Sequence, residues 1–172
     1  ACGSLAWMTM EWLRHGKPSV LGIVTGMVAG LGTITPASGS VGPAGAVVIG
    51  LSAGVICYFA TITLKNRLGI DDSLDVFPVH GVGGMLGLLM AGIFCSPSLG
   101  LFSGNGFSGG IDGIGGQLGV QLTGILATLV YTAVVSWVLL RVVNVFVPLR
   151  VDQEDETAGL DIVLHDERGY DI

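Results

Sequence analysis

The sequence predicts an all-α fold, a polytopic transmembrane helix bundle, on three observations. Hydrophobic residues make up 51% of the chain and charged residues 12%, with a mean hydropathy of +0.76. That is about half the charged share of a soluble domain, too little to cover a water-exposed fold of this size. The few charges are also segregated. None lies between Lys17 and Lys65, and Asp112 alone lies between Asp75 and Arg141. A bilayer span needs about 20 apolar residues, so each gap holds two spans and a turn. The third observation is glycine, at 29 residues. In water so much glycine would point to loops; inside apolar segments it points to helices packed closely enough that only small residues fit between them.

Five apolar segments follow in order. Ala1 to Leu13 is too short to span and has no starting Met, so it reads as the end of a helix that begins outside this sequence. Ser19 to Thr35 is opened by Pro18 and closed by Pro36, proline being tolerated at a helix start and marking a stop near its end. The third runs from Pro43 to Leu64, the fourth from Val76 to Phe94, and the fifth from Gln117 to Leu140, with a helical pattern that continues to Val147 before Pro148. Basic residues test the topology. Arg14 and Lys17 follow the first segment, Lys65 and Arg67 the third, Arg141 and Arg150 the fifth, and none follows the second or fourth. That alternation is what the positive-inside rule requires, and it places those loops and the C-terminus in the cytoplasm of a multi-pass protein of the cell membrane. Residues 1–150 thus form the membrane domain and 151–172 a polar, acidic cytoplasmic tail. Read by itself, that tail is a disordered, solvated segment.

Small residues recur at helical spacing: Gly22, Gly26 and Gly30; Ala46, Gly50 and Gly54; Gly83, Gly87 and Ala91. Each ridge singly means packing. The net charge of −6 comes mainly from Asp71, Asp72 and Asp75 and from the acids after Arg150, with no basic patch to suggest nucleic acid. Cys2, Cys57 and Cys95 lie scattered in apolar sequence and read as small membrane-buried residues. No spacing matches a metal site, a phosphate-binding loop, or a nucleophile with its base, so no enzyme activity and no cofactor is expected.

His80 is the informative residue, in the run DVFPVHGVGG from Asp75 to Gly84. An ionisable group in a span is costly and marks a bundle interior or a water-filled path. Helical spacing aligns it with Gly83, Gly87 and Ala91, so it should face other helices. The plainer reading is a histidine that bonds a neighbouring helix and nothing more. Asp75 is placed to cap the fourth helix, Pro78 sits in the first turn, and Asp71 and Asp72 read as solvated loop charges. His15 and His165 lie in polar surroundings and read as solvated. Thr25 and Thr35 are span hydroxyls, which most often bond back to their own helix.

These residues, taken together, resemble the Amt ammonium transporters, relatives of the Rhesus proteins. The resemblance rests on Ala6-Trp7-Met8 with Glu11-Trp12, on TPASG from Thr35 to Gly39, and above all on DDSLDVFPVHG from Asp71 to Gly81. It continues through Gly92-Ile93-Phe94, Leu149-Arg150-Val151 and Gly159-Leu160-Asp161. It implies an eleven-helix bundle with an inverted repeat, assembled as a homotrimer with one pore per subunit. This chain would supply the end of helix seven, helices eight to eleven, and the tail. It implies that His80 is the second of two pore histidines, the first lying in the other half of the fold, so that this chain alone is not expected to conduct. Thr25 and Thr35 match hydroxyls near the pore, and Asp75 matches an acid that caps and orients. Gly159, Leu160 and Asp161 match the start of a regulatory tail that meets PII signalling proteins, although Asp166 stands where that pattern more often has glycine, at a turn that needs a positive φ.

The chemistry is coherent. Ammonium and potassium are similar in size, and dehydrating either in an apolar pore is expensive. Ammonium alone can donate hydrogen bonds and lose a proton, and a neutral imidazole can accept either. Passage of ammonium or ammonia is the expected activity. Two other readings fit the residues: a proton-coupled transporter of another solute, and a non-transporting ammonium sensor. One geometric point is open. These boundaries put His80 only a turn inside its helix, so a mid-membrane position needs the Asp71–Asp75 segment to dip inward or the helix to start deep.

Overall fold

The computed structural model describes residues 1–169, and every regular element in them is helical. The helices are α1 (Cys2–His15), α2 (Val20–Ile34), α3 (Pro43–Ile62), α4 (Gly83–Phe94), α5 (Gly113–Phe146), α6 (Gln153–Ala158) and α7 (Leu160–His165). The chain divides into two compact units, Ala1–Leu126 and Ala127–Ile172.

In the first unit, helix ends follow local chemistry. α1 stops at Gly16, which takes the left-handed conformation (φ 74°) and donates its N–H to Trp12 O. Ser19 caps α2, its Oγ accepting from Gly22 N at 2.8 Å. The Glu11 carboxylate reaches across and accepts from Ser19 N at 2.6 Å and from Trp7 Nε1 at 3.2 Å, tying the end of α1 to the start of α2. α2 runs into a 3-10 turn at Thr35–Ala37, where Pro36 withdraws a donor. α3 opens on Pro43 and closes in a π turn, Thr63–Arg67. A second π turn, Phe77–Val82, leads into α4.

The glycine ridges are contact surfaces. α1 lies against α2 and α3. A Cβ on Gly26 would stand 2.5 Å from Trp7 Cβ, and one on Gly54 would stand 2.6 Å from Ala6 Cβ. Apolar burial between helices gains little in lipid, so such close backbone approach carries the association. Trp7 and Tyr58 then meet edge to face at 5.5 Å in a core shared with Ala29, Cys57 and Val79. Cys57 and Cys95 are buried, and all three cysteines are free thiols. Outside the helices, Gly104–Gly106 fold back on the end of α4 and on the α2–α3 turn: Gly104 N donates to Ser96 O at 2.9 Å, and the Asn105 side chain donates to Gly39 O.

Four segments are long and apolar enough to cross a bilayer: Val20–Ala37, Pro43–Arg67, Phe77–Phe94 and Gly113–Phe146. α1, at 14 residues here, is not among them. α5, at 34 residues, extends about 50 Å, well beyond a hydrocarbon core of about 30 Å.

In the second unit, the end of α5 carries Arg141 over the Trp137 ring at 5.3 Å, and Arg150 pairs with Glu156 at 3.0 Å. The tail is not structureless: α6 and α7 occupy much of it, joined at Gly159 (φ 98°). α7 ends on Asp166, which takes the left-handed conformation (φ 51°) although it stands where the family pattern more often has glycine.

Candidate functional site

The entry to α4 is where the polar residues of the first unit converge. α3 ends in its π turn, which brings Lys65 Nζ to within 2.7 Å of Asp75 Oδ1. Asp75 itself sits in the left-handed region, φ 56°, an uphill conformation for any residue with a Cβ. Its carbonyl accepts from Val79 N at 3.0 Å, starting the helix.

The cap of that helix belongs to a different residue from the one expected. Asp72, not Asp75, accepts from Val76 N at 2.9 Å and from Phe77 N at 2.8 Å, one carboxylate oxygen to each. Asp75 was the expected cap by spacing, but its left-handed backbone turns its side chain to Lys65 instead. Asp72, expected to be merely solvated, does the capping from one turn further back. The Phe77 and Val76 amides hold its carboxyl below the usual range.

His80 is the fourth residue of the span Phe77–Phe94, inside the π turn. Pro78 and Val79, which precede it within the turn, are buried, and so are Gly83, Gly87 and Ala91, but His80 is exposed on the surface of this chain. Within this chain it does not share the burial of those three residues. A π turn closes at i→i+5 and advances fewer degrees per residue than an α-turn, so phase extrapolated back from Gly83 slips. One ring edge does approach α2: Nδ1 would lie 3.8 Å from a Cβ on Gly32.

Gly83 and Gly87 seat α4 on α2 at Thr33. A Cβ on Gly83 would meet Thr33 Oγ1 at 2.9 Å and Cys57 Sγ at 3.3 Å. Thr33 is fully buried and was missed by the sequence reading. The signal was there: Gly22, Gly26, Ala29 and Thr33 form the buried stripe of α2 at spacings of four and three.

Thr25 and Thr35 bond back to their own helix, to Leu21 O at 2.9 Å and Leu31 O at 2.7 Å. Thr25 and Asp75 line a common recess of about 230 Å³ with Glu11, Tyr58 and Thr61. His15 also borders it, its Nε2 3.3 Å from Tyr58 OH, so it is less isolated than its polar neighbours suggested. His80 and Thr35 are not part of that recess. In the tail, Gly159 supplies the positive φ between α6 and α7, Leu160 opens α7, and Asp161 lies in its first turn.

Close-packed spans of membrane length, with an ionisable side chain carried in one of them, define a polytopic α-helical membrane protein. The chain belongs to the Ammonium Transporter Family, whose family model matches residues 1–170. It is 38% identical over 170 residues to the ammonium transporter of Bacillus subtilis, covering 99% of this chain and 41% of the relative. With ammonium transporter Amt1 of Archaeoglobus fulgidus it shares 40% identity, over 99% of this chain and 42% of that protein. The crystal structure of Saccharomyces cerevisiae Mep2 superimposes with a TM-score of 0.75 at 40% identity, covering 90% of this chain and 35% of that one. A sensor Amt protein superimposes with a TM-score of 0.80 at 26% identity, covering 95% and 38%. The chain therefore spans about two-fifths of the length of the curated relatives it matches.

Proposed function

We propose that the full-length protein carrying this sequence moves ammonium or ammonia across a cell membrane, through a pore whose wall includes His80. The observation that carries this is the position of His80: within a span, yet exposed on this chain and held by no hydrogen bond among the described residues. An ionisable ring in that position needs water, substrate or another part of the protein against it. A second histidine from the remainder of the fold would meet it there, and paired neutral imidazoles would accept the hydrogen bonds that ammonium donates and potassium does not. Asp75 orients this segment, while Thr25 and Thr35 lie near the path with their hydroxyls turned to the backbone. By its resemblance to the family, the complete protein is an eleven-helix, inverted-repeat subunit of a homotrimer; the placement of Arg14, Lys65 and Arg141 supports a C-terminus in the cytoplasm. Residues 151–172, including Gly159, Leu160 and Asp161, form the tail that a PII signalling protein would meet. Transport needs no cofactor and no covalent chemistry.

A sensor role is the second reading, favoured by the similarity to the sensor Amt protein. Uptake of labelled methylammonium by cells expressing the full-length protein separates the two. Transport that withstands excess potassium, and that loses rate or selectivity in His80→Ala, supports the pore reading. No transport by the wild type favours the sensor, and an unaltered His80→Ala removes His80 from the pore.

A further inference from the structure

We infer that Lys65 is a positioning residue for transport: its ion pair with Asp75 fixes the turn that presents His80, and thereby sets selectivity for ammonium over potassium. This rests on the pore reading above.

No hydrogen bond among the described residues holds the His80 ring, so its direction is set by the backbone beneath it. That backbone is defined at its start. Asp72 caps the first two amides, Pro78 fixes one φ, and Asp75 turns the chain through a left-handed conformation. The cap and the proline are local to the segment itself. Lys65 is different, because it belongs to the end of α3 and ties that helix to the entry of α4 across an exposed connection in which Leu74 is 82% exposed. Among the described residues of the first unit this is the one ion pair. The side chains of Lys65 and Asp75 are 38% and 17% exposed, so the pair is only partly screened by water.

Both partners adjoin irregular backbone: Lys65 lies within one π turn, and Asp75 stands two residues before the other. A π turn holds one residue more than the α-turn it replaces and persists only where surrounding contacts favour it. Releasing Asp75 from Lys65 removes one such contact and the restraint on an uphill φ. Relaxation of the widened turn toward α geometry would swing His80 by up to about 100°, the rotation of one residue in an α-helix. Such a swing would carry the imidazole off a path that the rest of the turn leaves in place.

The test uses the full-length protein reconstituted in liposomes and reads ammonium flux against potassium flux. The variants are Lys65→Met, Asp75→Asn, the double variant and Lys65→Arg. Asparagine tolerates the left-handed conformation as aspartate does, so Asp75→Asn removes charge without removing the turn. The expected result is a fall in ammonium-over-potassium selectivity of about fivefold in Lys65→Met and in Asp75→Asn, the shift one partly buried pair can impose on an equilibrium. The double variant should fall no further, and Lys65→Arg should restore the wild-type ratio. A ratio unchanged in both single variants, or one lowered in Lys65→Met and not restored in Lys65→Arg, overturns the inference. Wild-type protein that carries no ammonium overturns the pore reading instead. A loss of folded protein with an unchanged ratio in what remains assigns Lys65 to stability alone.

Discussion

Gly54→Ala puts the packing of α1 to a quantitative test. The added methyl would stand 2.6 Å from Ala6 Cβ and 3.0 Å from Trp7 N, and close to Gly3 O as well. Two of those three atoms are backbone, so no side-chain rotation makes room and α1 must move away from α3. Overpacking of this kind costs about 1–3 kcal/mol. Alanine recovers about 1 kcal/mol of helix propensity relative to glycine. The balance is a destabilisation of up to about 2 kcal/mol. It can be measured by reversible unfolding of the full-length protein in mixed micelles with increasing SDS. Adding Ala6→Gly to Gly54→Ala should recover only part of the loss, because Gly3 O and Trp7 N stay where they are. A Gly54→Ala protein more stable than wild type would refute the close approach of α1 and α3.

Two further predictions concern carboxylates outside the spans. The Asp72 carboxyl is held below its unfolded value of about 3.9 by the Phe77 and Val76 amides. Its capping contribution is therefore complete above that value and is lost as pH falls through the lower folded one. Hydrogen exchange at the Val76 and Phe77 amides, corrected for the intrinsic effect of pH, should show protection lost on acidification in wild type and low protection throughout in Asp72→Ala. Protection independent of pH would mean the cap lies elsewhere. In the tail, Asp166→Gly removes a left-handed non-glycine residue at the end of α7, which costs about 1 kcal/mol. Exchange within Leu160–His165 should slow in that variant, and faster exchange would show that the Asp166 side chain contributes more than its φ costs.

The membrane class, the succession of segments and their boundaries to within a few residues were legible in the sequence, because each follows from local composition. A run of apolar residues between Lys17 and Lys65 has no stable alternative to crossing lipid, and Pro18, Pro36 and Pro43 mark helix ends through a fixed φ and a missing donor. The glycine ridges announced close contacts, and the special position of His80 was visible from the cost of an ionisable group in a span. The resemblance carried by DDSLDVFPVHG led to the family that the comparisons then showed.

Other features were decided only by tertiary structure. Sequence spacing nominated Asp75 as the cap because it presumes an ordinary helix start; the left-handed turn at Asp75 gave that role to Asp72 and left Asp75 to Lys65, ten positions earlier in the chain. Periodicity placed His80 on the stripe of Gly83 and Gly87 because it presumes a uniform rotation per residue; the π turn changes that rotation, and its existence depends on what packs around it. Thr33 falls on the stripe of Gly22, Gly26 and Ala29, a spacing visible in the sequence, but what its hydroxyl meets was decided by the packing of α4, where a Cβ on Gly83 would touch it. Composition and local periodicity determine which segments enter the membrane and where they stop. Which polar groups meet there is decided by contacts between segments distant in the chain, since only those contacts can hold a left-handed aspartate or a widened turn against the local preference for a regular helix.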